Sequence, residues 1–148
     1  MEQNNGHSFN CAESVMIRVN RSSPLPGFGD PLMRVASVLG GGFAGCGEVC
    51  GAASGGVLCL ALLTGTTGAE SVGKFKKKRS SARKLISDFM NDFTDAWGSV
   101  QCKFLFAMDS GKVPPKGRFR SGPARKLCEE YVDWSTEKVL KLRVSFNL

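Results

Sequence analysis

The chain holds a single histidine, His7, in 148 residues. With no second histidine and no Ser-His-Asp grouping, hydrolase chemistry has nothing to build on. His7 itself falls in an N-terminal stretch expected to fray, four residues before Cys11. No C-x-x-C occurs among the six cysteines, so neither a zinc ribbon nor a thioredoxin-like motif is legible locally. The glycine cluster "GGGFAGCG" is preceded by no strand and followed by no Lys-Ser or Lys-Thr, which excludes a phosphate loop. "MEQNNGHSFN" shows no basic segment leading into an apolar one, so a cytoplasmic location is expected. A reducing compartment disfavours a structural disulfide framework, leaving buried inert thiols, metal ligands or transient redox chemistry. Period-two alternation is also missing, apart from "KLRVSFNL" at residues 141–148, and there is no solenoid-length repeat.

Charge is scarce in one place: from Val35 to Ala69 the only charged residue is Glu48. Val49–Thr67 is just long enough to cross a bilayer. Ten of the eighteen glycines lie between Val35 and Ala69, however, and the flanking helices are amphipathic in the manner of soluble proteins. The segment therefore reads as a core helix, and no membrane partner is expected. The net charge of +7 serves solubility as readily as attraction to acidic partners. The basic run Lys74, Lys76, Lys77, Lys78, Arg79, Arg83 and Lys84 has only Phe75 interleaved, so it reads as a solvated loop and helix face and not as a nucleic-acid patch.

What remains is helical patterning. Cys11, Val15 and Val19, with Ala12 and Met16, give one apolar stripe from about Ser8 or Asn10 to Val19. Residues 21–31 are a turn-rich loop; Asp30 as N-cap with Pro31 opens a short helix through Leu39, stopped by Gly40, Gly41 and Gly42. A helix of small and apolar residues follows Glu48 and ends at Gly65. The basic run leads into an amphipathic helix with Leu85, Ile86, Phe89, Met90, Phe93 and Trp97 on one face. Ser99 caps a helix through Cys102, Leu105 and Phe106; residues 108–123 are loop; a last helix starts near Pro123. The expected fold is all-α: a compact single-domain bundle of about five or six helices over residues 1–148, with a glycine-rich loop leading into a buried central helix. An even spread of aromatics over the helix faces allows a homodimer.

The cysteines are Cys11, Cys46, Cys50, Cys59, Cys102 and Cys128. Cys50 is placed in the first turn of the central helix, where unpaired N–H groups favour a thiolate over a thiol. Cys46 lies four residues before it in "CGEVC", and Glu48 between them either opposes the thiolate or shuttles its proton. Cys59, nine residues along the same helix, faces another side or depth. The segments "FNCAESV", "GGGFAGCGEVCGAASGG", "FTDAWGSVQCKFL" and "RKLCEEYV" resemble a family of redox-active proteins catalogued by the cysteine signature C_GCAxxG_C_C. In this chain the pattern falls on Cys11, then Cys50-Gly51-Ala52 with Gly55, then Cys102 and Cys128. The resemblance implies a small helical protein with a cysteine-based redox role and an undefined reaction; Cys46 and Cys59 lie outside it.

Gaps of 39, 52 and 26 residues put the four signature cysteines on four different helices, which a bundle brings together at one end of its core. One reading is an iron–sulfur cluster or other thiolate-bound metal on Cys11, Cys50, Cys102 and Cys128, with Gly51 and Gly55 letting N–H groups approach the sulfurs. A second is thiol–disulfide exchange, with Cys50 as attacking thiolate and Cys46, Cys11 or another signature cysteine resolving it. A third is a structural helical protein with cysteine as core filler. The redox partner is undefined in each.

Overall fold

The computed structural model describes residues 3–4, 6–111 and 126–148. A two-residue antiparallel hairpin, β1 (Gln3–Asn4) with β2 (His7–Ser8), precedes six helices. These are α1 (Cys11–Ser22), α2 (Asp30–Ala36), α3 (Gly51–Thr64), α4 (Val72–Trp97), α5 (Cys102–Ser110) and α6 (Lys126–Ser145). The all-α single-domain expectation holds, and α3 is the buried centre, packed against α1, α4 and α6.

Helix α1 starts where it does because Asn10 caps it. Its Oδ1 accepts from the N–H groups of Ala12 (2.9 Å) and Glu13 (3.0 Å), while Glu13 Oε2 accepts from the Asn10 N–H (2.8 Å), a closed capping box. The other half of the amide donates to Ala36 O (3.1 Å) and Ser37 O (3.0 Å), tying the end of α2 to the start of α1. Asn10→Ala removes the cap and both cross-links, so we expect a loss of about 2–3 kcal/mol in urea unfolding. Asn10→Asp, which keeps the acceptor and loses the donors, should recover about 1 kcal/mol of that.

Helices α1 and α3 touch through glycine. A Cβ on Gly55 would lie 2.7 Å from Ala12 O and 2.9 Å from Val15 Cβ, and one on Gly56 would lie 2.4 Å from Phe89 Cζ. Bare Cα atoms thus let the backbone of α1 meet α3 on one side and a ring of α4 meet it on the other. Helix α6 closes the bundle with aromatic pairs: Phe93 with Trp134 (5.4 Å, 90°) and Trp97 with Tyr131 (4.9 Å, 76°). Ion pairs hold it in register: Arg18 on α1 meets Glu129 and Asp133, and Lys138 meets Asp92 of α4 at 2.6 Å.

Several boundaries differ from the sequence reading. Helix α1 runs to Ser22, past Val19. The cap of α2 is Gly29, with Asp30 as its first residue and no side-chain cap bond; the helix stops at Ala36 because the chain turns into the glycine loop before Leu39. Helix α4 takes in the whole basic run, since Lys, Arg and Ser form helix without needing burial. Gln101, not Ser99, is the N-cap of α5; the Ser99 hydroxyl instead accepts from the Gln101 N–H. Residues 108–110 are helical and Gly111 is the C-cap of α5; residues 112–123 of the expected loop, with the start of the last helix near Pro123, lie outside the described residues. Residues 141–148 form no strand: α6 continues to Ser145, and Arg143 Nη1 donates to Ser23 O at 2.8 Å. No helix among the described residues is long and apolar enough to cross a membrane.

Candidate functional site

The stretch from Leu39 to Glu48 is a compact knot of turns. Hydrogen bonds from Ala44 N to Val38 O (2.7 Å), Gly45 N to Gly40 O (3.0 Å), Gly47 N to Gly41 O (3.0 Å) and Glu48 N to Gly42 O (3.1 Å) fold it on itself. Gly42 is required twice over: its φ is +72°, and a Cβ there would fall 2.5 Å from Glu48 N. The knot ends by pairing with the segment before α5. Cys50 N donates to Val100 O (2.7 Å), Cys102 N to Glu48 O (2.7 Å) and Lys103 N to Gly47 O (3.0 Å). This short antiparallel bridge, centred on Val49 and Gln101, sets Cys50 beside the start of α5.

Three of the signature cysteines therefore occupy equivalent places. Cys11 is the first residue of α1, Cys102 the first of α5, and Cys50 the N-cap of α3. Cys128 lies in the first described turn of α6. Each of the three helix starts presents the positive end of a dipole, but the first N–H groups of α1 are taken by Asn10 and those of α5 by Glu48 O and Gly47 O, whereas α3 has no side-chain cap.

The four sulfurs act on one another. Cys11 hydrogen-bonds to Cys128, and this bond, burial and the nearby Cys128, Cys50 and Cys102 push its thiol far above the usual range. Burial pushes the Cys50 thiol up to about 12; the N–H groups of Ala53 and Ala52 pull the other way without closing a cap bond, and Cys102 and Cys128 add to the rise. The helix-dipole expectation for Cys50 is thus outweighed by burial: at neutral pH it keeps its proton, which makes it a poor attacking thiolate. None of the six cysteines is in a disulfide.

The other candidate residues separate. Cys46 is exposed on the glycine knot, and it is not among the groups acting most strongly on Cys11 or Cys50. The Glu48 carboxylate stands in solvent 3.9 Å from Lys103 Nζ, and the site uses its carbonyl instead. Gly51 gives clearance to the site, since a Cβ there would lie 3.1 Å from Cys11 Cβ. Gly55 faces the α1 backbone one turn deeper, and its role is helix packing. Cys59 is fully buried in α3, its thiol raised by burial to about 12.

Raised thiols make stability depend on pH. Below pH 9 the folded and unfolded thiols at Cys50 and Cys59 are both protonated; above it the unfolded chain releases protons that the folded one holds up to about pH 12. The stability these groups contribute is complete below pH 9 and lost as pH rises towards 12. The thermal midpoint of the reduced protein should fall across that window, and Cys59→Ala should shallow the fall. A flat midpoint there would contradict the burial argument.

The donors suit a soft metal or cluster in type and number, being four sulfurs from the starts of four helices, Cys50 buried and the other three half-buried. Among the described residues no three His, Cys, Asp or Glu side chains close into a ligand set, so the reduced thiols are gathered short of coordination geometry. Residues not foreseen from the sequence position this site: Asn10 and Glu13, Arg18, and the Val100–Gln101 segment. The spacing N-x-x-E was a readable capping box; the Val100 pairing carries no local signal.

A family model described as "Putative redox-active protein (C_GCAxxG_C_C)" matches residues 9–142. No curated protein and no solved structure gives a significant match. The chain belongs to the C_GCAxxG_C_C family.

Proposed function

For a member of a redox-active family with four sulfurs gathered at the helix starts, we propose that Cys11, Cys50, Cys102 and Cys128 hold an iron–sulfur cluster or another thiolate-bound metal for electron transfer. The observation that carries this reading is that Cys50, Cys102 and Cys128 all act on Cys11, and Cys102 and Cys128 also act on Cys50. Two-sulfur chemistry leaves the other two members unexplained. Once bound, such a group supplies a one-electron carrier whose potential follows its charge, hydrogen bonding and exposure. The chain's own part is to keep water from Cys50, to aim the N–H groups of Ala52 and Ala53 at its sulfur, and to give up thiol protons to the incoming cation. Protons held well above neutral pH guard the thiols against casual oxidation until the metal displaces them.

One observation favours a second reading. The Cys11–Cys128 hydrogen bond sets two sulfurs as a dithiol, which an oxidising partner would convert to a disulfide by taking two electrons and two protons.

Anaerobic isolation followed by iron and acid-labile sulfide analysis, a visible spectrum and a thiol count separates the two. The cluster reading expects visible absorption with sulfide present. Loss of two thiols without metal, mapped to Cys11 and Cys128, replaces it with the dithiol. A colourless protein that keeps six thiols under mild oxidation rejects both.

A further inference from the structure

Seven basic residues lie in the first half of α4, and the sulfur site does not use them. They stand at the other end of the molecule: α3 carries Cys50 at its start and Leu63 at its finish, about 20 Å away. There, between the end of α3, the face of α4 and the C-terminal segment, runs a groove of about 830 Å³. That volume is typical of small-molecule sites.

The groove has two kinds of wall. Its floor is apolar, formed by Leu63, Leu85, Phe146 and Leu148. Phe146 is 60% exposed, an aromatic left bare along the opening. The rim is cationic. Two of its lysines are neutralised: Lys84 by Asp88 at 2.6 Å, and Lys78 by Glu70 at 3.2 Å. Glu70 also accepts from the Thr67 and Gly68 N–H groups at 3.2 and 3.0 Å, so it is committed to the loop. Lys74 and Lys77 line the same groove and have no ion-pair partner among the described residues. Both side-chain carboxylates facing the groove are therefore matched, the main-chain oxygen of Leu148 accepts from Arg143 Nε at 3.2 Å, and two ammonium groups remain over an apolar floor. Their butyl stems extend that floor while the charges stay at its edge.

From this charge and apolar complementarity we infer that the groove binds a single-chain anionic amphiphile, its carboxylate or phosphate head between Lys74 and Lys77 and its alkyl tail along Leu63, Leu85 and Phe146. A neutral chain lacks the head contact, and a bare anion lacks the tail. The ligand differs from a nucleic acid, for which the groove offers no stacking platform beyond its one aromatic, and it sits too far from Cys50 and the other signature cysteines to be their reactant.

The test is calorimetric titration of the full chain with monomeric dodecanoate, with hexanoate, dodecyl phosphate, dodecanol and inorganic phosphate as companions. Affinity should rise about fourfold per methylene from hexanoate until the groove is filled. Dodecyl phosphate should match dodecanoate, and dodecanol and inorganic phosphate should bind at least tenfold more weakly. Lys74→Ala with Lys77→Ala, both on the exposed face of α4, should remove most of the dodecanoate binding with the thermal midpoint unchanged. Phe146→Ser should flatten the chain-length dependence. Equal binding of inorganic phosphate and dodecanoate overturns the inference in favour of a plain anion patch. Binding to vesicles of anionic phospholipid with none to monomeric dodecanoate overturns it in favour of a membrane surface.

Discussion

Gly55→Ala should lower stability by about 1–3 kcal/mol and unseat the cysteine site with it. The added methyl would meet Ala12 O at 2.7 Å and Ala12 Cα at 3.0 Å, both backbone atoms of α1, which no rotamer change can clear. Alanine's helix preference returns up to about 1 kcal/mol, too little to offset a displaced helix. Because Ala12 follows Cys11, moving α1 away from α3 also moves the Cys11 sulfur relative to Cys50. Gly56→Ala is a useful comparison. Its obstacle is the tip of the Phe89 ring at 2.4 Å, but that ring is 1% exposed and packed 5.8 Å from Trp134, so it has nowhere to go. Both variants should be destabilised in urea, and only Gly55→Ala should alter the site, because Phe89 belongs to α4, which carries no signature cysteine. A neutral or stabilising Gly55→Ala would mean that α1 and α3 are not in this contact.

Cys50→Ser is expected to weaken metal or cluster binding by at least about tenfold, since even supporting residues around metal ligands commonly cost that much. Serine keeps the shape of the N-cap and supplies an oxygen that accepts well from the Ala52 and Ala53 N–H groups, so the fold should survive. Its hydroxyl is a poor replacement for a soft thiolate. Cys11→Ser, Cys102→Ser and Cys128→Ser should behave alike. Cys59→Ala should keep full binding with some loss of stability from a fully buried position, and Cys46→Ser should change neither. Iron and sulfide per chain, measured alongside unfolding midpoints, distinguishes a lost ligand from a lost fold. Retained binding in Cys50→Ser with loss in Cys46→Ser would move the site onto the glycine knot.

The order and number of helices were legible because their apolar stripes are long: α1, the second half of α4 and α6 each repeat at helical spacing. Helix starts were less legible. Asp30 and Ser99 are both good caps in composition, yet the chain uses Gly29 and Gln101; the start of α5 is fixed by its pairing with the segment before α3, while α2 begins one residue early with its first bonds to Gly29 O. The first half of α4 looked like a loop because burial patterning was the signal, and that half buries only Ala82. At the site, the spacing of the four cysteines carried their convergence. It did not carry the pairing of Cys50 N with Val100 O, which brings residues fifty positions apart into register. The state of the Cys50 thiol was misjudged for a physical reason. The helix start was visible in the sequence, whereas the burial that overrides it depends on what packs above.

The proposed site stands or falls on whether the four signature cysteines bind one metal together. A cobalt(II) titration of the reduced protein tests it most directly, followed by the sulfur-to-metal charge-transfer band and by proton release at pH 7.5. One cobalt per chain should bind, with about four protons released and the charge-transfer intensity of an all-sulfur tetrahedral ion. Release of about two protons, or binding without a charge-transfer band, would contradict it.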